Sequence, residues 1–170
     1  MTYTAANGPL GLQGRHTWYA TGVDGFTLND LEYGLPVAQL DRITGLFALP
    51  DFTDLRDPVI GGNGEVIYPS YSTGKTITYE GRIITADGES LYAYRWEMLN
   101  TFGDRTDPEG TMNITPHPSW GSGGWKYTAR VLALEIDDEY LETSLDVQPS
   151  PYQLHFILSV RSKDGVMTQT

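Results

Sequence analysis

The stretch TGKTITYEGRIITADGESL, residues 73–91, changes its hydrophobic period partway through. In its first half Ile77, Tyr79 and Ile83 share one side of an extended chain, while Thr76, Thr78, Glu80 and Arg82 share the other. Successive side chains of a strand point to opposite faces, so this alternation predicts a strand with one buried side. Gly81 falls on the apolar side, which predicts close approach by another element. Asp87 then stands where a helix N-cap belongs, with Glu89 favouring the positive end of the helix dipole. Leu91, Tyr94, Met98, Leu99 and Phe102 follow at three- and four-residue steps, and Gly103 is a natural stop. A strand over 75–86 followed by a helix over about 88–102 is expected.

Outward from there the chain reads as short strands joined by turns. Asn7-Gly8, Asp24-Gly25, Asn63-Gly64, Asp87-Gly88 and Asp164-Gly165 mark sharp reversals, because these pairs tolerate positive φ. HTWYATGV (16–23) should turn at Asp24-Gly25 into FTLND (26–30). RITGLFAL (42–49) reads as a strand ended by Pro50. PVI (58–60), GGNG (61–64) and EVIYPSY (65–71) read as a long, protruding hairpin with a glycine-rich tip, and Pro69 excludes its second arm from a sheet centre. TMNIT (111–115) is a short strand and PHPSWGSGGW (116–125) a loop. YTARVLALEID (127–137) has a continuous apolar centre, as expected of a strand covered on both faces. YQLHFILSVRS (152–162) alternates cleanly.

The bulk composition agrees with this pattern. At 170 residues one domain spanning 1–170 is expected, and roughly 70% of the unfolded surface can be buried at that size. Nineteen Gly and ten Pro suit a turn-rich β protein. No window reaches the ~18 apolar residues of a membrane span, and the N-terminus lacks the pattern of a signal peptide. The absence of Cys excludes disulfides, Cys-ligated zinc and a thiol nucleophile. A net charge of −11 opposes sequence-specific DNA binding through repulsion of phosphate.

Catalytic patterns are scarce. His16, His117 and His155 lack the spacing of a zinc protease, and no serine elbow or phosphate-binding loop is present. His155 reads as a structural or surface residue. Glu80 and Glu135, on predicted strands that could face each other across a cleft, form a conceivable glycosidase-like pair, one among many such pairs in a chain with 22 acidic residues. The cluster Asp137, Asp138, Glu139 and Glu142 lacks the ligand spacing of a calcium loop and reads as a solvated strand end. Asn113-Ile114-Thr115 fits a glycosylation sequon by chance. We therefore expect no catalytic residue, cofactor or metal. Aromatics are the sharper feature: Trp120 and Trp125 flank a glycine-rich loop, and Tyr68 and Tyr71 follow the hairpin. Such rings fill β cores, anchor protein interfaces or stack on sugars.

The order of elements also resembles a known family. An Asp-Gly hairpin (VDGFTLND, 23–30) precedes Ile43-Thr44-Gly45-Leu46. A Gly-rich hairpin (VIGGNGEVIY, 59–68) precedes GKTITYEGRI (74–83), and the helix is followed by ARVLALEID (129–137) and FILSVRSKD (156–164). This succession resembles the N-terminal domain of the distal tail proteins of long-tailed, non-contractile phages. The resemblance implies an antiparallel β-sandwich or split barrel with one helix packed on it, a tail-tube-like fold. It also implies a ring, six-fold in the family, joining the tail tube to the tip or baseplate in the virion. The matching hairpin would hold neighbouring subunits together, with Val59, Ile60, Val66, Tyr68, Tyr71 and Lys75 as the candidate interface residues. Partners on this reading are further copies of the chain, the tail tube protein, and the tip hub or other minor tail proteins. DNA would pass through the lumen without specific binding, and no membrane is engaged. Since the chain ends at Thr170, soon after the last strand, no second receptor-side domain is expected. The helix is expected to cap the outer face of the sheet, with strand 75–86 and hairpin 59–68 closing the ring. A carbohydrate-binding β-sandwich, or another tail-tube or tail-completion protein, is the alternative, and a hydrolase a more distant one.

Overall fold

A computed structural model describes residues 14–20, 25–30, 34–50, 52–53, 56–58, 65–67, 71–72, 74–103, 109–115, 124–137, 152–163, 165 and 167–169, with backbone pairing alone over 52–72. The strands are β1 (Arg15–Ala20), β2 (Phe26–Leu28), β3 (Val37–Thr44), β4 (Phe52–Thr53), β5 (Arg56–Pro58), β6 (Glu65–Ile67), β7 (Tyr71–Ser72), β8 (Lys75–Thr85), β9 (Glu109–Thr115), β10 (Trp125–Ile136), β11 (Tyr152–Ser162) and β12 (Thr168–Gln169). Between β8 and β9 lies the helix α1 (Gly88–Gly103).

Eight strands form an antiparallel sheet in the order β2-β1-β9-β10-β11-β8-β3, with β12 paired to β10. The backbone N–H of Asn29, just past β2, donates to the Ala38 carbonyl of β3 (2.7 Å), and its side-chain oxygen accepts from the Leu40 N–H (3.3 Å). Asn29 Nδ2 also donates to the Gly14 carbonyl (3.0 Å). One buried residue thus draws the two ends of the sheet together into a split barrel. Its φ of 64° is in the left-handed region, which Asn tolerates better than most side chains.

The quoted stretch behaves as its period requires. β8 alternates along its whole length, burying Lys75, Ile77, Tyr79, Gly81, Ile83 and Thr85. Its partner β11 runs over the residues expected and buries Leu154, Phe156, Leu158, Val160 and Ser162. Gly81 is required: a Cβ there would collide with the Gln39 carbonyl of β3. Asp87 caps α1, accepting from the Ser90 N–H (2.7 Å) and the Ser90 hydroxyl (3.0 Å). The backbone bond holds its carboxyl below the ordinary range, because an accepted hydrogen bond favours the ionised form.

The helix occupies a different place from the one expected. Leu91, Met98 and Phe102 join the same core cluster as Ile77, Tyr79 and Ile83, so α1 lies on the inner, apolar side of the curled sheet rather than on its outer face. Phe102 packs against Trp18 and Phe26, and Tyr94 against Phe26. Burying each large apolar side chain contributes roughly 1.5–3 kcal/mol, which exceeds what propensity alone supplies to a helix of this length.

Two strands differ from expectation for one physical reason each. β3 covers Val37–Thr44, not 42–49, because Gly45 (φ 84°) turns the chain sharply and the alternation of 46–49 belongs to a turn. In β10 the apolar run is not covered on both faces. A bulge between Val131 and Ala133 shifts the phase by one residue, so Tyr127, Ala129 and Val131 face inward before it and Leu134 and Ile136 after it. Leu132 is left exposed.

A paired hairpin is present, with its first arm at Arg56–Pro58 rather than at the expected 58–60, while 59–64 lie outside the described residues. β4 pairs β7 (Phe52↔Ser72, Thr53↔Tyr71) and β5 pairs β6 (Arg56↔Ile67, Asp57↔Val66, Pro58↔Glu65). Neither ladder is hydrogen-bonded into the main sheet.

Candidate functional site

The side chains that sequence patterns offered for chemistry do not converge. His16 is fully buried and meets the Tyr79 ring edge-on, 5.4 Å between centroids. His155 sits on the opposite, outer face, 3.2 Å from Glu80. His117 lies outside the described residues. Glu80 and Glu135 both pair with Ile157, so β11 runs between them. Among the described residues no three His, Cys, Asp or Glu side chains group as metal ligands. Of the acidic cluster 137–142 only Asp137 is described, and Asn113 of the sequon is in β9. The buried tyrosines serve packing. Tyr79 and Tyr127 share a hydroxyl–hydroxyl hydrogen bond inside the barrel, and burial raises the pKa of both.

The outer face of β3, β8 and β11 is a polar lattice. Arg82 makes a two-pronged ion pair with Asp41 (2.8 and 2.9 Å) and reaches Gln153 (3.3 Å). The Asp41 contact raises the Arg82 pKa. Thr78 and Ser159 face each other at 3.5 Å. This is a hydrogen-bonded sheet surface.

Of the six expected interface residues, Val59, Ile60 and Tyr68 lie outside the described residues. Val66 pairs with Asp57 and Tyr71 with Thr53, which places both on the hairpin's second arm. Lys75 stands at the hairpin's root with a duty inside its own chain. It is only 6% exposed, and its ammonium donates to the carbonyls of Leu46 (2.6 Å) and Ala48 (3.2 Å). Burial lowers its pKa, since the charged form loses hydration. Those two carbonyls belong to the turn that leads into the hairpin. The turn is tight, with Ala48 N–H bonded to the Gly45 carbonyl (3.2 Å) and Leu46 buried beneath it. Phe47 and Leu49 nevertheless point outward, 66% and 84% exposed.

The other exposed large apolar groups include Tyr19, Tyr92 and Trp96. Sequence reasoning missed both groups. RITGLFAL hid the turn, and the outer stripe of α1 is mixed with Glu97 and Asn100. Trp125, offered above for sugar stacking, leans into the core, and Trp120 lies outside the described residues.

Comparison with solved structures gives an informative likeness. The crystal structure of the SPP1 Dit protein, described as a paradigm of the hub adsorption apparatus in phages infecting Gram-positive bacteria, superposes with a TM-score of 0.55 at 16% identity. The chain has the fold of that protein. The match covers 89% of this chain and 51% of the SPP1 Dit chain, so this chain spans about half the length of its relative. No protein-family model and no curated protein matches the sequence.

Proposed function

We propose that this protein is a structural, non-catalytic component of the tip of a long, non-contractile phage tail: a distal tail protein whose copies, six in number, close into a ring. The observation that carries the reading is the fold shared with SPP1 Dit over 89% of the chain. The hairpin, whose ladders are separate from the main sheet, supports it, because such an arm suits contact with a neighbouring subunit. In this role residues 1–170 act as one ring-forming domain between the tail tube protein and the tip hub or other minor tail proteins. The chain is assembled in the host cytoplasm and resides in the virion at the tail tip. Hairpin residues Val59, Ile60, Val66, Tyr68 and Tyr71 reach the adjacent copy, and Lys75 fixes the hairpin's root. The lumen passes DNA without binding it, since a ring carrying six times −11 repels phosphate.

The test is deletion of the hairpin tip, residues 61–64. The expected product is a folded monomer, with unchanged circular dichroism and no ring by light scattering or negative-stain microscopy. Rings that persist after the deletion contradict the role given to the hairpin.

A further inference from the structure

The chain carries 22 acidic residues against 11 Lys and Arg, yet one corner of the sheet's outer face is basic. Arg130 of β10 lies directly opposite Arg161 of β11, and both side chains are exposed there. Lys163, just past β11, joins them. Its backbone N–H donates to the Thr128 carbonyl of β10 (3.1 Å), which fixes the strand end. Glu109, across from Arg130 on β9, is the one carboxylate beside these cations among the described residues. Elsewhere on the same face cations are matched: Arg82 is paired with Asp41, and Arg42 stands opposite Glu80.

Like charges directly opposite each other destabilise a sheet, because cross-strand Cβ atoms are only about 4.5–5.5 Å apart. Glu109 does not relieve the opposition. Its carboxylate lies 3.7 Å from the Lys163 ammonium, an exposed pair that water and salt weaken. The Arg130 guanidinium makes no hydrogen bond or ion pair among the described residues. A depression of about 200 Å³ opens at this point, lined by Glu109, Thr128, Arg130, Arg161 and Lys163 with the buried strand beneath them. It is smaller than the roughly 300–1,000 Å³ of sites for drug-sized ligands, and suits one small anion.

We infer that Arg130, Arg161 and Lys163 form a seat for a phosphate group. An oxyanion between the two guanidinium groups turns an unfavourable like-charge pair into charge-assisted contacts, and planar guanidinium forks match phosphate oxygens. Three cations also fit a group with three acceptor oxygens and a charge approaching −2 better than a singly charged carboxylate. The backbone that carries them is already fixed, so little order is lost on binding. The acidity of the rest of the chain does not forbid this. At physiological ionic strength exposed charges more than about 8 Å away are largely screened, and the local cluster decides. One seat supplies few of the contacts on which retention of a nucleic acid depends, so DNA can still pass without being held. The site is complete within one copy of the chain and stands apart from the ring. Free phosphate and a nucleic-acid phosphodiester share this chemistry, and the test separates them.

The experiment follows the backbone amides of 128–130 and 161–163 by NMR while inorganic phosphate is added to the full chain. Ionic strength is held constant with chloride. The expected result is a saturable shift confined to these residues. Arg130→Gln, at an exposed position, should weaken the affinity about tenfold, as for the loss of one charged hydrogen bond. Arg42→Gln, on the same face but outside the cluster, should leave it unchanged. In phosphate-free buffer Arg130→Gln should melt no lower than the wild type, because it removes a repulsion. A second titration uses a short oligothymidylate. Saturation by inorganic phosphate identifies the free anion as the ligand, and saturation by the oligonucleotide alone identifies the phosphodiester. Shifts that grow linearly and spread over the whole face, or an affinity unchanged in Arg130→Gln, overturn the inference and leave a solvated charged corner. A lower melting temperature of Arg130→Gln with no phosphate response in the wild type overturns it in favour of a structural role. Saturation by a hexaglutamate peptide, where neither phosphate probe binds, overturns it in favour of an acidic protein partner.

Discussion

The curled sheet and the hairpin are built on opposite terms. β8 and β11 pair along eleven residues each, and every inward side chain of the pair meets the shared core or the strand's own neighbours. The hairpin's ladders are two and three residue pairs long and separate from that sheet. Two-stranded ribbons are marginal in water by themselves, so an arm of this kind gains its definition from what it touches. The sheet holds the chain's stability, and the hairpin adds little to its core. The two regions should therefore fail in different ways when damaged.

The largest effect should follow damage to the sheet. Trp18 is 1% exposed and touches Phe102, so Trp18→Ala leaves a cavity and lowers unfolding free energy by about 3–5 kcal/mol, measured by denaturant titration. Next is the seam. Asn29→Ala removes the acceptor of the Leu40 N–H and the donor to the Gly14 carbonyl, and places Ala at φ 64°. A loss of about 2–4 kcal/mol is expected from the orphaned groups and the backbone cost.

Alkaline pH acts on the core as well. Tyr79, Tyr94 and Tyr127 all have pKa values raised mainly by burial. Above about pH 10 the unfolded chain releases these protons while the folded one keeps them, so stability falls as pH rises, by about 1.4 kcal/mol per pH unit for each tyrosine. Lys75 has the opposite sign: its depressed pKa means that stability rises with pH until the unfolded value of 10.5 is passed. Chemical denaturation at pH 8, 10 and 11 should show the tyrosines dominating, with Tyr79→Phe flattening the decline. The smallest stability effect belongs to the hairpin. Removing 61–64 should change unfolding free energy by less than about 0.5 kcal/mol, as for surface changes remote from the core. A loss as large as that of Trp18→Ala would erase the contrast between the two regions.

Much of the fold was legible from local period alone. β11 occupies the residues its alternation marks, β8 ends one residue before the expected boundary, and Asp87 caps the helix it was read to cap. That a hairpin stands in this region was legible, although its first arm is Arg56–Pro58 rather than 58–60. What escaped depends on events that a local period does not carry. The bulge at Val131–Ala133 disguises a one-sided strand as a two-sided one. Gly45 cuts an alternation that continues in sequence but not in space. The Asn29 seam joins residues from separate strands, and nothing in FTLND signals it. The helix's position on the inner face follows from curling of the sheet, a property of the whole. The interface candidates at 59–68 came from family resemblance, whereas the exposure of Phe47, Leu49 and Trp96 is visible only in the fold.

The central claim is that copies of this chain close into a ring. Light scattering after size exclusion, over a concentration series of the full chain, tests it most directly. The account predicts a discrete species near six times 18.9 kDa. A single species of 18.9 kDa at every concentration would contradict it.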